Sequence, residues 1–174
     1  LQAIRTALTI KLKDAMDVGR IREREEALKA AFLDEIRKEP SIILLEDKNS
    51  PRIAVFSFYV LGLHHNLIVH LLNDRHGIQT RGGCSCAGTY GHILFHISKT
   101  ESEQITSRID DGDLTDKPGW VRVSLHPTMT GDEVRFIGRA IVETVRNASE
   151  WEKEYSFDLH SGDYVHCSGR RQQI

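Results

Sequence analysis

The densest chemistry in this chain lies in twelve residues, Arg81-Gly82-Gly83-Cys84-Ser85-Cys86-Ala87-Gly88-Thr89-Tyr90-Gly91-His92. They hold two of the three cysteines and four glycines. Glycine admits positive φ and close backbone approach, so the composition predicts a shaped loop. A thiol there is exposed enough to react, and Arg81 with nearby backbone N–H groups favours the thiolate that attacks a substrate or binds a metal. Two chemistries follow. In the first, Cys84 or Cys86 is a nucleophile and Arg122 clamps an anionic group, since the guanidinium fork binds a carboxylate through two hydrogen bonds. In the second, Cys84, Cys86, His92 and His96 close a tetrahedral zinc site, the two histidines lying at i,i+4 on a helix. The plainer alternative is that the cysteines are small residues filling a turn.

The elements that must position these residues are legible from periodicity. Apolar residues at Ala3, Ile4, Ala7, Leu8, Leu12 and Ala15 predict a helix over 3–16, interrupted by Asp17-Val18-Gly19. A second helix is predicted over 20–39, with Ile21, Leu28, Ala31, Phe32 and Ile36 buried, a solvated face paired as Glu25 with Lys29, and Pro40 as its end. Strands are predicted at 41–46 and 53–60, antiparallel across the turn 47–51. Asn66 is the expected cap of a helix over 67–75 ended by Gly77, and a strand at 78–81 delivers the cysteine loop. The apolar run 93–97 reads as helix or strand, 102–109 as a polar helix and 110–119 as a surface loop. In the strand 120–126, Val121, Val123 and Leu125 face one way and Arg122, Ser124 and His126 the other. Thr130 and Glu133 form a capping box for a helix running to about Asn147, with Val134, Ile137, Ile141 and Val145 as its core stripe. Residues 1–148 then read as one domain, 149–174 as an irregular aromatic arm, and His64-His65 and Cys167 as loop and tail details. The element order predicts an α/β two-layer sandwich, a small mixed or antiparallel sheet with helices on one face.

Composition narrows the function classes. With 174 residues, a net charge of −2 and 40% hydrophobic residues, the chain is an ordinary globular sequence. A chain of this length buries roughly 70% of its unfolded surface and needs no staples. Three cysteines, two of them one residue apart, argue for a reducing, cytoplasmic setting. The charge makes no electrostatic case for nucleic acid, and no apolar run reaches the ~20 residues of a membrane span. The sequence starts at Leu1, inside a predicted helix and without a cap, as expected of a piece of a longer protein.

The segment Gly77-Ile78-Gln79-Thr80-Arg81-Gly82-Gly83-Cys84-Ser85-Cys86-Ala87 resembles the GI-x-x-R-x-G-x-x-C-A element of class V aminotransferases, the group that contains cysteine desulfurases and selenocysteine lyases. Trp120-Val121-Arg122-Val123-Ser124-Leu125 resembles that family's R-x-S strand, and the helix start at Thr130 its final helix. The strand 53–60, ending at Gly62, resembles its SF-x-V-x-G strand, and Ile21 to Glu23 its I-x-x-R-E helix. The form RGGCSCAGTYGH is similar to a selenocysteine-lyase-like branch. The resemblance implies the small C-terminal domain of a pyridoxal-phosphate enzyme of the aspartate-aminotransferase type, with 1–16 cut from the connection between domains. It implies Cys86 as the persulfide-forming cysteine, Arg122 as the arginine for the substrate carboxylate and Arg81 as a second active-site arginine. The implied substrate is a cysteine- or selenocysteine-like amino acid, and the implied assembly a homodimer. The cofactor lysine belongs to the family's large domain, so this chain alone is expected to be inactive. A plain class V aminotransferase would keep Arg122 and need no cysteine, and a free-standing zinc or thiol module remains the alternative outside the family.

Overall fold

The structure, a computed structural model, describes residues 1–45, 52–84 and 88–169, with the backbone alone at 88 and 89. Four strands form an all-antiparallel sheet in the order β1-β2-β4-β3: β1 (Ile42–Leu44), β2 (Val55–Val60), β3 (Arg81–Gly83) and β4 (Trp120–Ser124). Alternation in β2 and β4 sends Phe56, Phe58, Val60, Val121 and Val123 to one face, where all five are buried. Three helices cover that face: α2 (Val18–Ile36), α3 (His65–His76) and α6 (Gly131–Trp151). Leu28, Phe32 and Ile36 of α2, Ile68 and Leu72 of α3, and Val134 and Ile141 of α6 complete the core. The Phe32 and Phe56 rings meet at 4.6 Å, and each buried aromatic side chain of this kind contributes about 1.5–3 kcal/mol. Gly138 lets α6 approach α2 closely, because a Cβ there would stand 2.6 Å from Cβ of Glu35.

The helix boundaries show which local interactions win. Asp17 adopts φ 63° and its carboxylate accepts from the N–H groups of Gly19 and Arg20, so the interruption at 17–19 is itself the cap of α2. That helix stops at Ile36, ahead of Pro40, consistent with proline disfavouring helical backbone in the residue before it. Lys29 is not on a solvated face: it is buried and bonded to Glu26, not Glu25, and to the Arg52 carbonyl. In α3 the cap is His64, whose Nδ1 accepts from the Asn66 N–H, and Asn66 instead donates its side-chain amide to the Gly162 carbonyl. Both α6 and α5 (Lys99–Asp110) open with full capping boxes, Thr130 with Glu133 and Ser98 with Glu101. The first helix, α1 (Gln2–Met16), buries no residue, and Ile4, Leu8 and Leu12 stay exposed.

The tail is not an irregular arm. After a 3-10 turn at Glu152–Glu154 it forms an antiparallel hairpin, β5 (Tyr155–Asp158) with β6 (Asp163–His166). Tyr155 and Tyr164 point inward onto Leu67, Leu71 and Ala148, and Tyr155 donates to Asp74. Burial, with the Asp74 carboxylate, pushes the Tyr155 phenol up; burial beside Glu152 pushes Tyr164 up to about 12. The hairpin is fastened further by His70 with Asp163 at 2.8 Å and by the Leu114 N–H on the Leu159 carbonyl at 3.0 Å.

Candidate active-site face

Register brings two of the sequence-predicted residues together. Arg81 of β3 is the direct cross-strand partner of Arg122 of β4, which is also paired with Ser57 of β2. Directly opposed residues share a face, so both guanidinium groups leave the sheet on the side away from the helices, and both residues are exposed. Two like charges in that relation repel, at a cost of a few tenths to about 1 kcal/mol. An anion between them would reverse the sign.

The neighbouring row on the same face is aromatic. Trp120 is buried, its ring 6.2 Å from Phe95 and in contact distance of Gly91, and Phe95 also meets Tyr59 edge-on at 4.8 Å. Gly91 belongs to α4 (Gly88–Leu94), which with the turn after it roofs this end of the open face. Cys84, at the end of β3, is half-buried, and its Cβ would lie 3.8 Å from a Cβ placed on Gly91. Cys86 lies outside the described residues.

The glycines are distributed differently from the sequence expectation. The strand occupies 81–83, not 78–81, so Gly82 and Gly83 are ladder residues and not part of a free loop. The zinc geometry is also corrected. α4 ends at Leu94, and His96 stands beyond it with φ 54°, where the Ile97 N–H on the His92 carbonyl closes the helix end. His92 and His96 are thus not i,i+4 neighbours on one helix, and His92 Nδ1 is paired with Ser102 Oγ at 2.6 Å. Among the described residues, no group of three or more His, Cys, Asp or Glu side chains is arranged to hold a metal.

The sequence reads His64-His65 as a loop detail, whereas His64 caps α3 and His65 is its first residue. Their rings stack at 4.2 Å at the start of α3, and His65 is buried. Burial, then the neighbouring His64 and Lys117, pushes the His65 imidazole down from 6.5 to about 4; burial likewise lowers His64. Both are neutral at physiological pH. They border a cleft of about 480 Å³ with Tyr59, Phe95, Lys117 and Tyr164, which Arg81, Arg122 and Cys84 do not line. Two adjacent histidines after Gly62 were the signal available, but nothing local says that one of them is covered.

The described residues fit a carboxylate but not a pyridoxal phosphate. Such a cofactor needs a lysine for its Schiff base. Among the described residues no lysine lies on the strands that carry the arginines: Lys29, Lys38 and Lys153 are tied to Glu26, Glu35 and Glu150, and Lys117 lines the cleft that Arg81 and Arg122 do not border.

Together these features define an α/β domain whose open sheet face presents paired arginines, one of them on the strand that leads to Cys84. The family model for class V aminotransferases matches residues 1–137, and the chain belongs to that family, whose members are pyridoxal-phosphate-dependent enzymes. No curated protein matches the sequence. Among solved structures, the chain is similar to the cysteine desulfurase CsdA of Escherichia coli in its S-sulfonic acid form, with 17% identity and a TM-score of 0.43 over 71% of this chain and 25% of that one. It is also similar to the apo cysteine desulfurase of Thermococcus onnurineus NA1, with 23% identity and a TM-score of 0.48 over 77% of this chain and 28% of that one. The chain spans about a quarter of the length of these relatives. Among the described residues no helix is long and apolar enough to cross a membrane.

Proposed function

We propose that this chain is the small C-terminal domain of a pyridoxal-phosphate-dependent lyase that removes sulfur or selenium from a cysteine- or selenocysteine-like amino acid. One observation carries the reading: Arg81 and Arg122 face each other on the open side of the sheet, beside the point where the cysteine loop departs. Family membership supports the cofactor class. In this reading Arg122, with Arg81 beside it, holds the substrate carboxylate through charge-assisted hydrogen bonds. The thiolate of Cys86 attacks the substrate's sulfur or selenium. A bond forms from the cysteine sulfur to the transferred atom as the bond from that atom to Cβ breaks; the electron pair stays on Cβ, which takes up a proton, and the amino acid leaves as alanine. The cofactor and its lysine belong to a part of the enzyme outside this chain. The isolated chain is therefore inactive, and the enzyme works in the cytoplasm as a homodimer.

The test is steady-state kinetics of the full-length enzyme. Loss of hydrogen bonds to a charged group, at about 1.5–3 kcal/mol each, predicts that Arg122→Ala lowers kcat/KM by ~10²-fold or more. Unchanged kinetics would remove the carboxylate role. Cys86→Ser should stop sulfur or selenium release; undiminished amino-group transfer in that variant would identify a plain class V aminotransferase. Adding pyridoxal phosphate to the isolated chain should leave the cofactor's absorption spectrum unshifted.

A further inference from the structure

The β3–β4 ladder pairs Arg81 with Arg122, Gly82 with Val121 and Gly83 with Trp120. Continued by one step, the same register sets Gly119 opposite Cys84. Behind this end of the ladder, on the helix side, sits the imidazole of His65. A Cβ on Gly119 would stand 2.4 Å from the ring, and one on Gly82 would stand 3.1 Å from it. Neither glycine has the positive φ that would require glycine for conformational reasons, so both are glycines for space. Gly83 differs: it has φ 102°, and it lies between them in the strand register. In a regular pleat Cys84 would share the face of Gly82 and point toward the helices. That space is taken by the His65 ring, and the turn at Gly83 leaves Cys84 against Gly91 on the opposite side.

We propose that His65 is a positioning residue for Cys84: its ring, wedged against Gly82 and Gly119, fills the helix-side space and so directs the Cys84 side chain onto the arginine face. His65 touches no reacting atom in this account, and it acts through the two strand ends. The inference does not rest on the lyase reading, because it concerns where a thiol points.

The test uses the whole chain in a Cys86→Ser background, so that iodoacetamide labelling of this segment reports Cys84 alone, with the exposed Cys167 as internal control. Thiol reactivity follows exposure, so opening the wedge with His65→Ala should lower the labelling rate of Cys84 by ~5-fold or more as the side chain falls back toward the helices. Cys167 should keep its rate. Placing a methyl group in the vacated space with His65→Ala/Gly119→Ala should restore the Cys84 rate to within about twofold of the parent. If His65→Ala does not fold, Gly119→Ala with His65 retained drives the ring against the strands and must change the Cys84 rate while sparing Cys167. A Cys84 rate unchanged in the single variants, a parallel change at Cys167, or no recovery in the double variant would overturn the proposal.

Discussion

The two faces of the four-stranded sheet are built from the same strands by opposite rules. Toward α2, α3 and α6, Phe56, Phe58, Val121 and Val123 are buried and packed against apolar helix stripes. On the other face, beside the aromatic row of Tyr59 and Trp120, the intervening residues include Ser57, Arg122 and Ser124, with Arg81 added by β3. The first face stabilises the fold. The second opposes two like charges and gains nothing from doing so in the isolated chain. Residues that cost stability without a structural return are the ones to associate with function.

That contrast can be broken experimentally. The largest effect should come from Phe56→Ala, a fully buried ring, which is expected to cost about 3–5 kcal/mol as a midpoint shift in urea unfolding. A loss below about 1 kcal/mol would mean that the helix-backed face is not the main core. Next comes acid. His65 on the helix side has its pKa lowered to about 4, so its contribution is complete above the ordinary value of 6.5. As pH falls from 6.5 toward 4 the unfolded chain takes up a proton that the folded chain refuses, and stability drops by about 3 kcal/mol. The carboxylates held low by hydrogen bonds, Glu133 and Asp113 among them, start from 4.5 and 3.8 and act only in more acid solution. Urea midpoints at pH 7 and pH 5 would separate the effect of the stacked His64–His65 pair, in which His65 is the more strongly lowered, from that of the carboxylates, and a flat response over that interval would contradict the buried placement of His65.

Two smaller effects sharpen the comparison. Thr130→Ala removes the cap of the helix that packs on the buried face and should cost about 1 kcal/mol in the same measurement. Arg122→Ala acts in the opposite direction: relieving the repulsion with Arg81 should leave stability unchanged or raise it by up to about 1 kcal/mol. A clear destabilisation by Arg122→Ala would make that arginine a structural residue and erase the distinction between the faces.

Much of the fold was legible because it rests on local signals. Alternation in 120–126 separated Val121 and Val123 from Arg122 and Ser124, and Thr130 with Glu133 marked the start of α6. The capping box of Ser98 with Glu101 was equally local but was passed over, which displaced the start of α5. The hairpin at 155–166 was missed because its alternation is short, and its stability comes from docking on Leu67 and Leu71, more than eighty residues earlier. The cap of α3 was misassigned because His64 and Asn66 can both serve, and the choice was made by Gly162, which claims the Asn66 side chain.

By itself the sequence determined the faces of the strand at 120–126, the start of α6 and the identity of the residues able to do chemistry, since each depends on side-chain type and on spacing along a few turns or a few strand positions. Only the tertiary structure decided that Arg81 and Arg122 stand side by side, that Lys29 is buried, and that His65 fills the space behind Cys84. Those outcomes depend on register and close approach between segments tens of residues apart, and no local periodicity encodes them.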